Sequence, residues 1–173
     1  METLFYTGTG DDGQVRVGDS VLSKSDPLFQ ILGELDAVNS LLGWSRSGIR
    51  EGQYDSLRVI WINLHEILFI GQAQFASLGF GFEVTHEVTD EHLQYLEKVI
   101  GVIDSEVPKL QHFVLPGGSE LASRLEIARV RSRTLERRTV DFFEEEAMEG
   151  VDALLAVLNR FSSVLFALSR YVN

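Results

Sequence analysis

The chain has 173 residues, 26 of them acidic and 15 Lys or Arg, for a formal net charge of −11. That balance excludes general nucleic-acid binding, which requires broad positive potential. Hydrophobic residues make up 45%, enough for the core of one domain spanning 1–173, and the lack of cysteine removes disulfides, Cys-ligated zinc, iron–sulfur clusters and thiol catalysis.

Residues 1–25 are rich in Gly, Thr, Asp and Ser and read as an irregular arm. Their start lacks a basic stretch followed by an apolar one, so no signal peptide is visible, which together with the lack of cysteine fits a reducing cytoplasm. Asp26-Pro27 marks a helix start, with Asp as N-cap and Pro at the first helical position. Leu28, Ile31, Leu32, Leu35 and Leu42 then follow at helical spacing, and Gly48 and Gly52 end the element. A second helix is expected over Asp55–Leu78, its stripe formed by Leu57, Ile60, Leu64, Ile67, Leu68 and Phe75. The longest apolar run lies around Ile60–Ile70, is broken by Asn63, His65 and Glu66, and falls short of the ~20 residues of a membrane span. Thr89 caps a third helix with His92 at the third helical position, followed by Leu93, Leu96, Val99, Ile100 and Ile103. Pro108 and Pro116-Gly117-Gly118 break the pattern. Ser119 caps a fourth helix, in which Leu121, Leu125, Ala128, Ser132, Leu135, Thr139 and Phe142 alternate by four and three, a packing seam. Glu144-Glu145-Glu146 is solvated surface. A fifth helix carries Val151, Leu154, Leu155, Leu158, Phe161, Leu165 and Leu168. These elements predict an all-α, five-helix antiparallel bundle (26–173) preceded by an irregular N-terminal arm.

Three features carry candidate chemistry. Six of the fifteen basic residues lie between Arg124 and Arg138. A charge run by itself is a solvated helix face, but arginines gathered in an acidic chain form an anion site, because guanidinium forks match phosphate oxygens. Thr7-Gly8-Thr9-Gly10-Asp11-Asp12-Gly13 has the glycine density that lets backbone N–H groups converge on an anion, and Lys24 follows it. Asp36 and Asn39 share a face of the first helix. Asp36, beside the core position Leu35, is expected to be shielded and to need a partner, for which an arginine of the fourth helix is the obvious candidate. On that helix Arg129, Arg133 and Glu136 fall on one stripe with Arg137 beside it. Asn159 interrupts the apolar pattern of the fifth. Glu83 and His86 have a di-iron spacing but lie in a loop without the required second copy, and no metal site is assigned.

Taken together, these residues resemble the trimeric PduO-type ATP:cob(I)alamin (corrinoid) adenosyltransferases. The resemblance runs through Tyr6 to Gly13, Ser23-Lys24, Leu32 to Gly43, His112 to Ser119, the arginine stretch, Leu158 to Ser162, Leu165-Phe166 and Ser169 to Asn173. It implies a five-helix bundle assembled as a homotrimer with sites between subunits. It also implies transfer of the 5′-deoxyadenosyl group of ATP to the cobalt of cob(I)alamin, with Mg²⁺ and release of triphosphate. A reductase or a B12-dependent enzyme is a possible partner. Carried over residue by residue, Thr7, Gly8, Thr9, Gly10, Asp11 and Gly13 form the phosphate-binding arm and Lys24 contacts the nucleotide. Asp36 and Arg129 form an inter-helix salt bridge. Arg133, Glu136 and Arg137 belong to the nucleotide-binding helix, with Arg133 on the polyphosphate, and Asn159 contacts the nucleotide. Phe113 holds cobalamin with its lower ligand displaced.

The chain departs from the family pattern at four positions. Gly8 replaces a Lys, Ala37 a carboxylate, Thr134 an Arg and Ser163 an Asp. Those losses weaken the expected grip on triphosphate and leave a second reading, a non-catalytic corrinoid- or nucleotide-binding bundle that stores, delivers or senses its ligand.

Overall fold

The computed structural model describes residues 8–49, 52, 54–148 and 151–173. Among these, five helices form the bundle: α1 (Pro27–Ser47), α2 (Asp55–Phe80), α3 (Asp90–Glu106), α4 (Glu120–Glu145) and α5 (Asp152–Tyr171). The starts follow the local chemistry. Asp26 accepts a hydrogen bond from the Leu28 N–H at 2.9 Å ahead of Pro27, and Ser119 Oγ accepts from the Ala122 N–H at 3.1 Å. At α3 the Thr89 N–H donates to His92 Nδ1 at 3.0 Å, so His92 takes the place a Glu or Gln holds in a capping box.

The anticipated stripes are the buried ones. All seven seam positions of α4, from Leu121 to Phe142, are buried, as are Leu154, Leu158, Phe161, Leu165 and Leu168 of α5. Helix α5 packs against α3 and α4, α4 against α1, and α1 against α2. Trp61, Phe75 and Phe161 are the largest fully buried side chains, and Phe75 of α2 stacks on Phe143 of α4 at 5.6 Å between ring centroids.

Two expectations need correction. The arm is not wholly irregular: β1 (Gln14–Val17) and β2 (Ser20–Ser23) form an antiparallel hairpin in the register Gln14↔Ser23 to Val17↔Ser20. The longest apolar stretch is α5, not Ile60–Ile70: its 20 residues match a membrane span in length and composition. Its Leu154, Val157, Phe161, Val164 and Leu168 are nevertheless core residues, as in a helix at the centre of a bundle. Successive helices reverse direction as expected, and α3 and α5, which run the same way, are neighbours. Arg160 bonds Glu97 and Arg170 bonds the Pro108 carbonyl, so numbering rises along both. The connection 107–119 therefore passes over the end of α5 to reach α4, and that crossing shapes the site.

Candidate active site

In the arm, Gly8, Gly10 and Gly13 all have positive φ, and Gly10 is the position where glycine is required. A Cβ there would meet the Gln14 carbonyl at 2.8 Å. The Gly10 carbonyl accepts from Lys24 Nζ at 2.6 Å, and the Lys24 N–H donates to the Gly13 carbonyl at 2.9 Å. Lys24 thus sits over the glycine turn. The nest of N–H groups expected here is partly engaged, because Asp11 N and Gly13 N close turns on the carbonyls of Gly8 and Gly10. Asp12 accepts from Arg16 Nη2 at 2.6 Å, and this guanidinium holds its carboxyl below the usual carboxylate range. Thr9 is exposed, and Thr7 lies outside the described residues.

On α4 most of the clustered arginines have partners in the fold. Arg124 bonds Glu120 at 2.5 Å and the Trp44 carbonyl at 2.8 Å, with its guanidinium 4.7 Å from the Trp44 ring centroid. Arg131 and Arg138 reach Glu34 at 3.0 and 3.6 Å. Arg129 Nε bonds Glu126 Oε2 at 2.8 Å, and Glu126 Oε1 accepts from Ser169 Oγ at 2.7 Å. Arg137 donates to Thr134 at 3.3 Å. Arg133 is exposed and makes no ion pair among the described residues.

The carboxylate expected to be shielded is exposed. Asp36 faces outward, whereas Glu34, on the stripe of Ile31, Leu35 and Val38, is buried and takes the α4 arginines. A rotation of 100° per residue puts Asp36 past the edge of that stripe. The bridge between Asp36 and Arg129 is not made within one chain.

Arg129 and Arg133 open into a cleft of about 870 Å³. One wall is the crossing segment, Leu110 to Val114. The other is α4 with Ser162, Ser163 and Phe166 of α5. Phe113 is fully exposed at its edge, with Leu115 beside it nearly so. Farther along the same two helices, Asn159 Nδ2 donates to Glu136 Oε1 at 2.6 Å. The structure thus brings Phe113, Arg129 and Arg133 together, joins Glu136 to Asn159, and joins Gly10 to Lys24. No hydrogen bond among the described residues links the arm to the cleft. The arrangement suits a large ligand with an apolar body against Phe113 and an anionic group at Arg133.

Sequence reasoning missed Glu34, Glu126 and Ser169. The helical offset of Glu34 from Ile31 and Val38 was a usable signal. The Ser169–Glu126 contact depends on how α4 and α5 pack and had none.

A family model described as cobalamin adenosyltransferase matches residues 5–172. The chain is 32% identical over 170 residues to the corrinoid adenosyltransferase of Bacillus subtilis, covering 97% of this chain and 86% of that one. It is 34% identical over 168 residues to the corrinoid adenosyltransferase PduO of Citrobacter freundii, covering 95% of this chain and 48% of that one. Among solved structures, a variant of the PduO-type ATP:corrinoid adenosyltransferase from Lactobacillus reuteri complexed with cobalamin and ATP superimposes with a TM-score of 0.85 at 32% identity. That likeness covers 97% of this chain and 92% of the other.

Proposed function

Because this chain belongs to the cobalamin adenosyltransferase family, matched over residues 5–172, we propose that it transfers the 5′-deoxyadenosyl group of ATP to the cobalt of cob(I)alamin. The products are adenosylcobalamin and triphosphate. The observation that carries the reading is the cleft of about 870 Å³ that sets Arg133, which has no ion pair among the described residues, opposite the exposed Phe113.

The chemistry is a displacement at carbon. The corrinoid substrate supplies the electron pair, the cobalt–carbon bond forms at C5′, and the C5′–O bond breaks with triphosphate as the leaving group. The protein needs no nucleophile of its own; its residues position the two substrates and stabilise the departing charge. Arg133 takes the polyphosphate. Arg129, aimed by Glu126, adds a cation beside it. Phe113 lies against the corrin and excludes the lower ligand. Glu136, Arg137 and Asn159 hold the nucleotide, while Thr7, Gly8, Thr9, Gly10, Asp11, Gly13 and Lys24 close over its phosphates. Mg²⁺ in this reading is carried in on the triphosphate, whose oxygens and water supply most of its ligands.

Among the described residues no hydrogen bond joins arm and cleft within one chain. This supports a homotrimer in which the arm of one subunit covers the cleft of the next and Asp36 meets Arg129 across the interface. A cytoplasmic location, and a reductase or a B12-dependent enzyme as partner, belong to the same reading.

The test is an anaerobic reaction with ATP, Mg²⁺ and chemically reduced cob(I)alamin. The visible spectrum should convert to that of the adenosylated product with one triphosphate released per corrinoid. Folded protein that binds either substrate without conversion would refute the transfer activity.

A further inference from the structure

We propose that Arg170, in the last turn of α5, and Asn173, just past its end, are positioning residues that clamp both ends of the cleft's exposed wall and thereby set its grip on the corrinoid. This inference rests on the adenosyltransferase reading and adds residues to which that reading gives no role. The wall is the segment 107–119, which has no regular secondary structure, and every residue from Pro108 to Pro116 is exposed. A segment so poor in burial has few contacts to fix its shape.

Its ends are fixed by one structural element. At the α3 side, Arg170 Nη2 donates to the Pro108 carbonyl at 2.9 Å. At the α4 side, the Ser119 N–H donates to Asn173 Oδ1 at 2.8 Å, and Ser119 Oγ donates to the Val172 carbonyl at 3.2 Å. The Asn173 side chain also occupies the space beside Gly118, where an added Cβ would lie 1.9 Å from Oδ1. The seat depends on glycine at 118, which also has φ +98°. Between the two anchors the wall carries Phe113. Neither anchor lines the main cleft; both line a smaller adjoining cavity of about 70 Å³ behind the segment, which shares Val114, Arg129 and Phe166 with the cleft, and from there each holds the segment. A displacement of about 1 Å in a ligand-facing wall is enough to lose on the order of tenfold or more in binding or rate.

Three variants test this: Asn173→Ala, which removes the acceptor; Asn173→Asp, which keeps one; and Arg170→Ala, which frees the other end. The measurements are hydrogen–deuterium exchange across 109–119, equilibrium binding of cobalamin, and KM for ATP. Both alanine variants should exchange faster across the segment and bind cobalamin about tenfold more weakly, with KM for ATP changing less than about twofold. The aspartate variant should restore both properties. Wild-type exchange and affinity in both alanine variants would overturn the clamp, as would equal losses toward ATP and cobalamin. If Asn173→Ala does not fold, Arg170→Ala decides by the same criteria. A wild-type protein that binds no cobalamin would overturn the functional reading instead, and the exchange data alone would then decide the clamp.

Discussion

His65 of α2 is half-buried against α1, where its Nδ1 pairs with Asn39 Oδ1, and its pKa lies below the ordinary 6.5, first because of burial and second because of the Arg46 charge. The Asn39 bond does not oppose protonation, since an Nδ1–H donates to that oxygen in both charge states. With the folded value depressed, the unfolded chain takes up the proton first as pH falls. The contribution of the neutral ring is therefore fully present above pH 6.5 and is lost as pH drops through the folded value. We expect the difference in Tm between wild type and His65→Gln to move against the wild type between about pH 7.5 and 5.5. A constant difference across that range would refute the assignment. Glu34 shows what was legible at this scale and what was not. The need of a shielded carboxylate for an α4 arginine is legible in the residues, but the carboxylate that has it is Glu34, not Asp36. Adjacency to Leu35 in sequence is not adjacency on a helix face, whereas offsets of three from Ile31 and four from Val38 are. Glu34 also changes the meaning of the arginine cluster. By engaging Arg131 and Arg138 it leaves Arg133 as the exposed cation at the cleft.

At the scale of elements, α2 ends against the start of α1 and the hairpin, and Gly79 is what allows the approach. A Cβ at Gly79 would lie 2.0 Å from Leu28 Cδ2 and 3.4 Å from Leu22 Cδ1, and Leu28 is buried in the core. Gly101 in α3 has nothing within 4 Å of the same position. The two glycines should therefore respond to alanine with opposite signs. Gly79→Ala is expected to destabilise by about 1–3 kcal/mol through overpacking, and Gly101→Ala to stabilise by up to about 1 kcal/mol through helix propensity. Urea unfolding of both variants measures this, and a stabilised Gly79→Ala would show that α1 and α2 do not meet as described. Helix positions were readable because caps and apolar stripes are local features, from Asp26-Pro27 to Ser119. The hairpin was not read because its strands are only four residues long and lie in a glycine- and aspartate-rich stretch. Val15-Arg16-Val17 and Val21-Leu22 around Gly18-Asp19 were nevertheless a hairpin signal. The course of 107–119 over α5 depends on which helices become neighbours and leaves no local mark.

For the whole molecule, the lack of a hydrogen bond between the described arm and the cleft makes the site's completeness a question of assembly. Lys24 lies at the glycine turn and Arg133 in the cleft, and no described hydrogen bond joins the two regions. If each site combines one subunit's arm with its neighbour's cleft, Lys24→Ala and Arg133→Ala damage different halves of the same site. Each variant alone should lose most turnover, since a charge-assisted contact to a leaving triphosphate contributes about 1.5–3 kcal/mol. Each should also remain folded, because both side chains are exposed. In a co-expressed equal mixture, a random interface draws an intact arm from the Arg133→Ala subunit and an intact cleft from the Lys24→Ala subunit about one time in four. Activity should therefore rise to about a quarter of wild type, in particles with the mass of three 19.4 kDa chains. Sites complete within one chain would give no rise on mixing, because every chain in the mixture carries one defect. A monomer by light scattering, or a mixture no more active than its components, would place arm and cleft in separate roles, and the arm would lose its claim on the triphosphate.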